Sequence, residues 1–311
     1  MILGIHHVTL AVRDLAAARD FYGAAAEMQE MAVSESAALA AIDHDLGGMD
    51  SNHCLLAGRN GYLLLIAPQW PGGVPAPVAN PINRAGIRHF CIQNHDITPL
   101  AAAVAAHGGS LIAPPLDLGT GNQYAYARDP EGSIMEIEGL PYAPIAEPTW
   151  LAHVALVTRD MEPAIAFYAA LLGTELKSRG RFGPGPQFDR MGGLVDAQIE
   201  GAWLPAGNLQ LELWQFHAPQ SPAEATRHLL DPGYSRLCLE SDDLDADAAR
   251  LVALGGALLS GCLESKQLRT ILGRDPEGNL VEIVELRGLG AAFSLSALAA
   301  PDICKRVEAG R

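Results

Sequence analysis

The sequence predicts an α+β fold in which repeated strand–helix–strands units pair and close into cupped, mixed sheets. Three observations carry that prediction. The segments HVTLAVRDLAAARDFY from His7 and HVALVTRDMEPAIAFY from His153 agree at 8 of 16 positions, 146 residues apart. The turn RDPEG occurs at Arg128 and again at Arg274, each time followed by a short alternating run. Strand-like alternation at Val8, Leu10 and Val12 gives way to an Ala-rich run of helical composition.

Taken in order, GIHHVTLAV reads as a half-buried strand and Asp14 as the cap of a helix from Leu15 to about Met28. SNHCLLAG and GYLLLIAP follow as strands, the second closed by Pro68 and Pro71. After the Pro-bearing crossover WPGGVPAPVANP, a strand at Arg88 to Gln93 and a helix at Leu100 to His107 begin the unit again. In RDPEGSIMEIEG, Asp129 to Gly132 reverse the chain. Period-two alternation then sends Glu136 to one face with Ile134 and Glu138, and Met135 and Ile137 to the other. LPYAPIAEPTW, with Pro141, Pro144 and Pro148, is the natural linker between halves. The expected organisation is a first, metal-binding domain over residues 1–146, a second over 147–290 without metal, and a tail over 291–311 that docks as a helix or forms a homodimer contact.

With 21 basic against 36 acidic residues the formal charge is -15, which disfavours nucleic acid and anionic membranes as partners. No signal peptide and no apolar run near the roughly 20 residues of a bilayer span are read, and the expected location is the cytoplasm. Cys54, Cys91, Cys238, Cys262 and Cys304 are scattered, odd in number and free of CxxC spacing, as suits reduced thiols.

His7, His89 and Glu136 stand at equivalent places of repeated strands. If two units pair across a pseudo-twofold axis, those side chains converge on the concave face. Two imidazoles and a carboxylate suit Mn(II) or Fe(II) and leave open positions for substrate. Alternation turns His6 away, with Val8 and Leu10.

The His-Val-x-Leu start, the Asp-initiated helix ending in Phe-Tyr and the RDPEG turn four residues ahead of Glu resemble the vicinal oxygen chelate superfamily over roughly residues 4 to 286. That superfamily includes glyoxalase I, extradiol dioxygenases, fosfomycin- and bleomycin-resistance proteins and methylmalonyl-CoA epimerase. The resemblance implies paired βαβββ modules in two glyoxalase/dioxygenase-like domains, one divalent metal per chain, and His7, His89 and Glu136 as its ligands. It implies a small substrate gripped by two vicinal oxygens. Glyoxalase I and the epimerase draw a fourth ligand, Glu or Gln, from the last strand of the first module, where this chain has Leu64 and Leu65. Tyr126, ten residues before Glu136, matches an extradiol catalytic Tyr, whereas the place of the extradiol acid-base His, near Val74, holds none. His44, His53 or His95 would have to be brought in by a loop. Glyoxalase-type isomerase or lyase chemistry is therefore placed ahead of ring-cleaving dioxygenation, with metal-free drug binding as a third reading.

The second half keeps His153, Glu212 and Glu282, with Arg236 standing for His89. A guanidinium has no lone pair for a cation and should pair with Glu282 or Glu212 instead. Should modules pair across halves, His153 would replace His7 beside His89 and Glu136. Tyr124 and Trp70 are further candidates for lining a pocket.

Overall fold

The computed structural model describes residues 1–31, 51–70, 73, 80–145, 147–222 and 230–310. His44 and Val74 lie outside them. Four modules follow one another. The first holds β1 (Ile2–Ala11), α1 (Leu15–Ala25), β2 (Gln29–Glu30), β3 (Ser51–Ala57) and β4 (Tyr62–Pro68). The second holds β5 (Gly86–Asn94), α2 (Ile97–Ala106), β6 (Ser110–Leu111), β7 (Gln123–Arg128) and β8 (Ile134–Gly139). The third holds β9 (Thr149–Val157), α3 (Met161–Leu172), β10 (Ser178–Phe182), α4 (Pro186–Gly192), β11 (Gln198–Ala206) and β12 (Leu209–Ala218). The fourth holds β13 (Gly233–Ser241), α5 (Leu244–Ala253), β14 (Ala257–Leu258), β15 (Leu263–Glu264), β16 (Leu268–Arg274) and β17 (Leu280–Leu286). In each module the first strand runs parallel to the last, as a helical crossover requires.

The expected elements form with small shifts. Asp14 caps α1 by accepting from Ala17 N at 3.0 Å. That helix stops at Ala25 rather than Met28, where Glu27 takes a left-handed φ of 51°. α2 begins at Ile97, earlier than expected, because Asp96 caps it and Pro99 sits in the first turn, where its missing N–H costs nothing.

The modules pair across the halves of the chain. One sheet has the order β14-β16-β17-β13-β1-β4-β3-β2 and joins the fourth module to the first; the other has β10-β11-β12-β9-β5-β8-β7-β6 and joins the third to the second. The seams are antiparallel, β1 against β13 and β5 against β9. The repeat boundary at residues 146 and 147 therefore does not separate the sheets, each of which draws on residues from both sides of it.

Two asparagines bind the halves. Asn60 Oδ1 accepts from Leu151 N at 2.9 Å and its Nδ2 donates to Leu151 O at 2.8 Å. Asn208 repeats this on Ile5, with both bonds at 3.0 Å. Each hairpin asparagine thus continues the backbone ladder of the other half's first strand. Gly207, at φ 71°, lets that turn approach, since a Cβ there would lie 1.9 Å from Leu3 O.

The RDPEG turns tie one sheet to the helix layer of the other. Tyr22 Oη donates to Asp129 Oδ2 at 2.9 Å, and Tyr168 Oη to Asp275 Oδ2 at 2.8 Å. Glu131 accepts from Arg13 N and Asp14 N at the start of α1, and Glu277 from Thr158 Oγ1 and Arg159 N at the start of α3. The four module helices and the convex sheet faces share one core containing Val8, Phe21, Leu65, Phe90, Met135 and Ile137. The concave faces are lined separately. In the tail, α6 (Ile303–Ala309) buries Ile303, Cys304 and Val307. No described helix is long and apolar enough to cross a membrane.

Candidate metal centre and cavity

Alternation in β8 puts Ile134 and Glu136 on the concave face and Met135 and Ile137 in the central core, as the sequence predicts. His89 reaches the same face from β5, His153 from β9 and Glu212 from β12. One donor atom from each of these four lies within 4.8 Å of every other. His153 Nε2 is 2.9 Å from Glu136 Oε2 and 3.1 Å from Glu212 Oε2. His89 Nε2 is 3.3 Å and 3.7 Å from the same two oxygens. Bonds of about 2.1 Å at right angles around one ion would set neighbouring donors about 3 Å apart, which this cluster matches.

His7 is not among them. β1 belongs to the other sheet, and His7 Nε2 there lies 3.9 Å from Glu282 Oε2. Of the expected set His7, His89 and Glu136, the structure brings His89 and Glu136 together and places His7 apart, with His153 in its place as pairing across halves would have it, and with Glu212 beside them. Half the donors of this group come from the second half of the chain. The reason is the seam: β5 pairs with β9, which brings in the third module's first and last strands. The place where Leu64 gives the first module no ligand is filled by Glu212, since Leu64 stands opposite Thr9 as Glu212 stands opposite Ala155.

Electrostatics fit a cation at the centre. Burial alone would lower the His153 pKa, but Glu212 and Glu136 outweigh it and hold the imidazole well above its ordinary range. Burial likewise would raise both carboxylates, and the histidines bring them below the usual range instead. Two carboxylates held toward their ionised form share a buried site, the place a divalent ion would take. His89 Nε2 and Glu212 Oε2 are buried and face the other two donors, at 3.3 Å from Glu136 Oε2 and 3.1 Å from His153 Nε2 respectively. The residues fit a divalent metal.

The equivalent place in the other sheet is closed by an internal cation. Thr9 opposite Arg236 repeats Ala155 opposite His89. Arg236 Nε donates to Glu282 Oε2 at 2.6 Å, and Thr270 Oγ1 to Glu282 Oε1 at 2.9 Å. Of the two partners expected for Arg236, Glu282 is the one it meets. A bulge between Ile5 and His7 breaks the alternation of β1, so His6 stacks on Tyr62 over the concave face rather than joining Val8. Its Nδ1 is 2.8 Å from His7 Nδ1. Burial, with His6 and Arg236 adding to it, lowers the His7 pKa well below the usual value.

Above the four donors opens a cavity of about 430 Å³ whose lining includes Tyr124, Tyr126, Trp203 and Trp214. Tyr126 is fully buried with its ring centroid 5.1 Å from that of His89, and burial beside Glu136 and Glu212 keeps its phenol protonated. Trp70 is elsewhere, donating to Leu230 O at 3.0 Å. Neither His53 nor His95 lines the cavity; His95 Nε2 lies 2.5 Å from Ile145 O. Trp214 and Glu212 as members of the site were the parts that sequence reasoning missed, although LQLELWQF alternates so as to place both on one face.

Residues 4–137 and 150–283 each match the family described as the Glyoxalase/Bleomycin resistance protein/Dioxygenase superfamily, and the chain belongs to it. It is 26% identical over 200 residues to a provisionally assigned lactoylglutathione lyase of Brassica oleracea var. gemmifera, covering 62% of this chain and 64% of that one. It is 28% identical over 204 residues to the anthracycline biosynthesis protein DauV of Streptomyces sp. (strain C5), covering 62% and 63%. The matches thus span just under two thirds of these relatives' lengths. In fold it is similar to glyoxalase I from Zea mays, with a TM-score of 0.63 at 20% identity over 95% of this chain and 96% of that one.

Proposed function

We propose that the protein is a divalent-metal-dependent enzyme of glyoxalase type, an isomerase or lyase acting on a small substrate through two vicinal oxygens. The observation that carries this reading is Glu212, which completes a set of two imidazoles and two carboxylates. The fourth protein donor is the feature by which the glyoxalase I pattern departs from the three-ligand extradiol pattern. His89, His153, Glu136 and Glu212 would hold Mn(II) or Fe(II), which supplies Lewis acidity to two adjacent substrate oxygens, worth several kcal/mol of developing charge. Glu212, which lines the cavity with Oε2 3.1 Å from His153 Nε2, would take a proton from a substrate carbon. Tyr126 Oη, protonated and facing the cavity, would donate to a substrate oxygen. Aromatic rings, of which Tyr126 and Trp214 are buried, line the cavity beside the donors.

The test is twofold. Elemental analysis of the purified protein should give one divalent ion per chain, lost on EDTA treatment together with activity toward α-hydroxycarbonyl substrates. Oxygen uptake and a yellow ring-cleavage product with a catechol panel would replace this reading by the dioxygenase one. A protein that neither holds metal nor responds to EDTA would be a sequestering protein.

A further inference from the structure

Beyond the four donors, the same strands carry a second polar group into the cavity. Glu138 follows Glu136 by two residues on β8, so the period of two sets it on the same face, about 7 Å further along. Gln93 on β5 stands opposite Glu138 in register, and Tyr124 on β7 stands opposite it on the other side. Gln93, Asn122 and Glu138 are each at least nine-tenths buried, and all three line the cavity beside Tyr124.

The orientation of each amide is fixed from behind. Trp150 Nε1, which can only donate, meets Gln93 Oε1 at 2.8 Å and so turns Gln93 Nε2 toward Glu138 Oε2. Tyr142 Oη donates to Asn122 Oδ1, which turns Asn122 Nδ2 toward Glu138 Oε1 at 2.6 Å and Tyr124 Oη at 3.1 Å. A carboxylate accepts at about four positions, so Glu138 can hold both amides and a ligand hydroxyl together. One carboxylate, two amides and a phenol in fixed positions complement neighbouring hydroxyls, each of which both donates and accepts. Phe182 and Trp203 add aromatic faces to the lining, and the negative face of a ring attracts C–H groups. The charge of the lining narrows the class. Glu136, Glu138, Glu212 and Glu308 line the cavity against one lysine among the described residues, Lys177, whose Nζ is 2.5 Å from Glu308 Oε1. A divalent ion would still leave that wall net negative, which disfavours a phosphate or carboxylate on the ligand.

We infer, on the metal-dependent reading above, that Glu138, Gln93, Asn122 and Tyr124 form a hydroxyl-binding subsite, and that the substrate is an unphosphorylated polyhydroxy ketone or aldehyde, an open-chain sugar. Its carbonyl and α-hydroxyl oxygens face the four donors, and the hydroxyls further along its chain reach Glu138. A substrate of this class carries, beside its carbonyl, the carbon-bound proton that Glu212 would take. Glu138 is then a specificity-determining residue, because it touches the part of the substrate that does not react.

The experiment is calorimetric titration of the Mn(II)-loaded protein with hydroxyacetone, L-erythrulose and dihydroxyacetone phosphate as probes. L-Erythrulose should bind at least about tenfold more tightly than either of the others. Glu138→Gln, which keeps the shape and removes the charge, should abolish its advantage over hydroxyacetone, and Tyr124→Phe should reduce that advantage by about threefold. Hydroxyacetone affinity, and metal content by elemental analysis, should stay at the wild-type level in both variants. Equal affinity of the wild type for L-erythrulose and hydroxyacetone, or wild-type affinity for L-erythrulose in both variants, would overturn the subsite while leaving the metal reading intact. Tighter binding of the phosphate would overturn the uncharged class. A protein that holds no metal yet binds L-erythrulose through Glu138 would overturn the metal-dependent reading and keep the subsite.

Discussion

His153 Nε2 stands 2.9 Å from Glu136 Oε2, although the two residues belong to different repeats. That contact exists because β9 lies against β5 and not within a sheet of its own half. It makes the donor cluster a property of the seam, and variants on either side of the seam should empty it.

His153→Ala and Glu212→Ala are each expected to lower divalent-metal affinity by at least about 100-fold, whereas His7→Ala leaves metal content at the wild-type level. Elemental analysis after gel filtration decides between them. Metal retained by the first two and lost by the third would return the site to the first half. An ion held as proposed would stabilise only the folded chain, so EDTA should also lower the melting temperature of the wild type, and of His7→Ala against its own metal-loaded form, but not of His153→Ala.

Arg236 does for Glu282 what a metal would do for Glu136. Arg236→Ala leaves a buried carboxylate without its cation and should cost about 3–5 kcal/mol in urea unfolding. The double variant Arg236→Leu with Glu282→Leu should recover most of that loss, because it removes both charges together. A double variant as unstable as the single one would show that the pair is needed for more than charge balance.

Asn208→Ala strips partners from the buried N–H and C=O of Ile5, and an expected loss of about 2–4 kcal/mol follows from two unsatisfied groups. Equilibrium unfolding measures it directly. A loss below about 0.5 kcal/mol would mean that the turn relaxes to satisfy the strand by other means.

Burial raises the Asp129 carboxyl to about 6, against the hydrogen bonds from Tyr22 Oη and the backbone of Ser133 and Glu131 that pull it down. A folded-state pKa above the unfolded one contributes stability that is complete below about pH 4 and is lost as pH rises through 6. At about 1.4 kcal/mol per unit, the contribution is about 3 kcal/mol. Asp129→Asn has no such titration. Its stability relative to wild type should therefore improve by about that amount between pH 4 and pH 7, read from urea unfolding at both. A gap that does not change with pH would show that Asp129 stays ionised in the fold.

Local signals in the sequence determined the modules. Alternation in β8 decided the faces of Glu136 and Met135, Asp14 and Asp96 decided where helices begin, and the offset between His7 and His153 exposed the repeat, all through interactions within a few residues. The reach of RDPEG was not legible, because Asp129 and Glu131 bond to Tyr22, Arg13 and Asp14, more than a hundred residues away. Tertiary structure alone decided which modules share a sheet, and with that whether His7 or His153 meets His89. The reason is physical: four similar modules present similar strand edges, so residue type and spacing allow either partner. The choice shows only in the assembled seams, β1 against β13 and β5 against β9, whose partners lie in opposite halves of the chain.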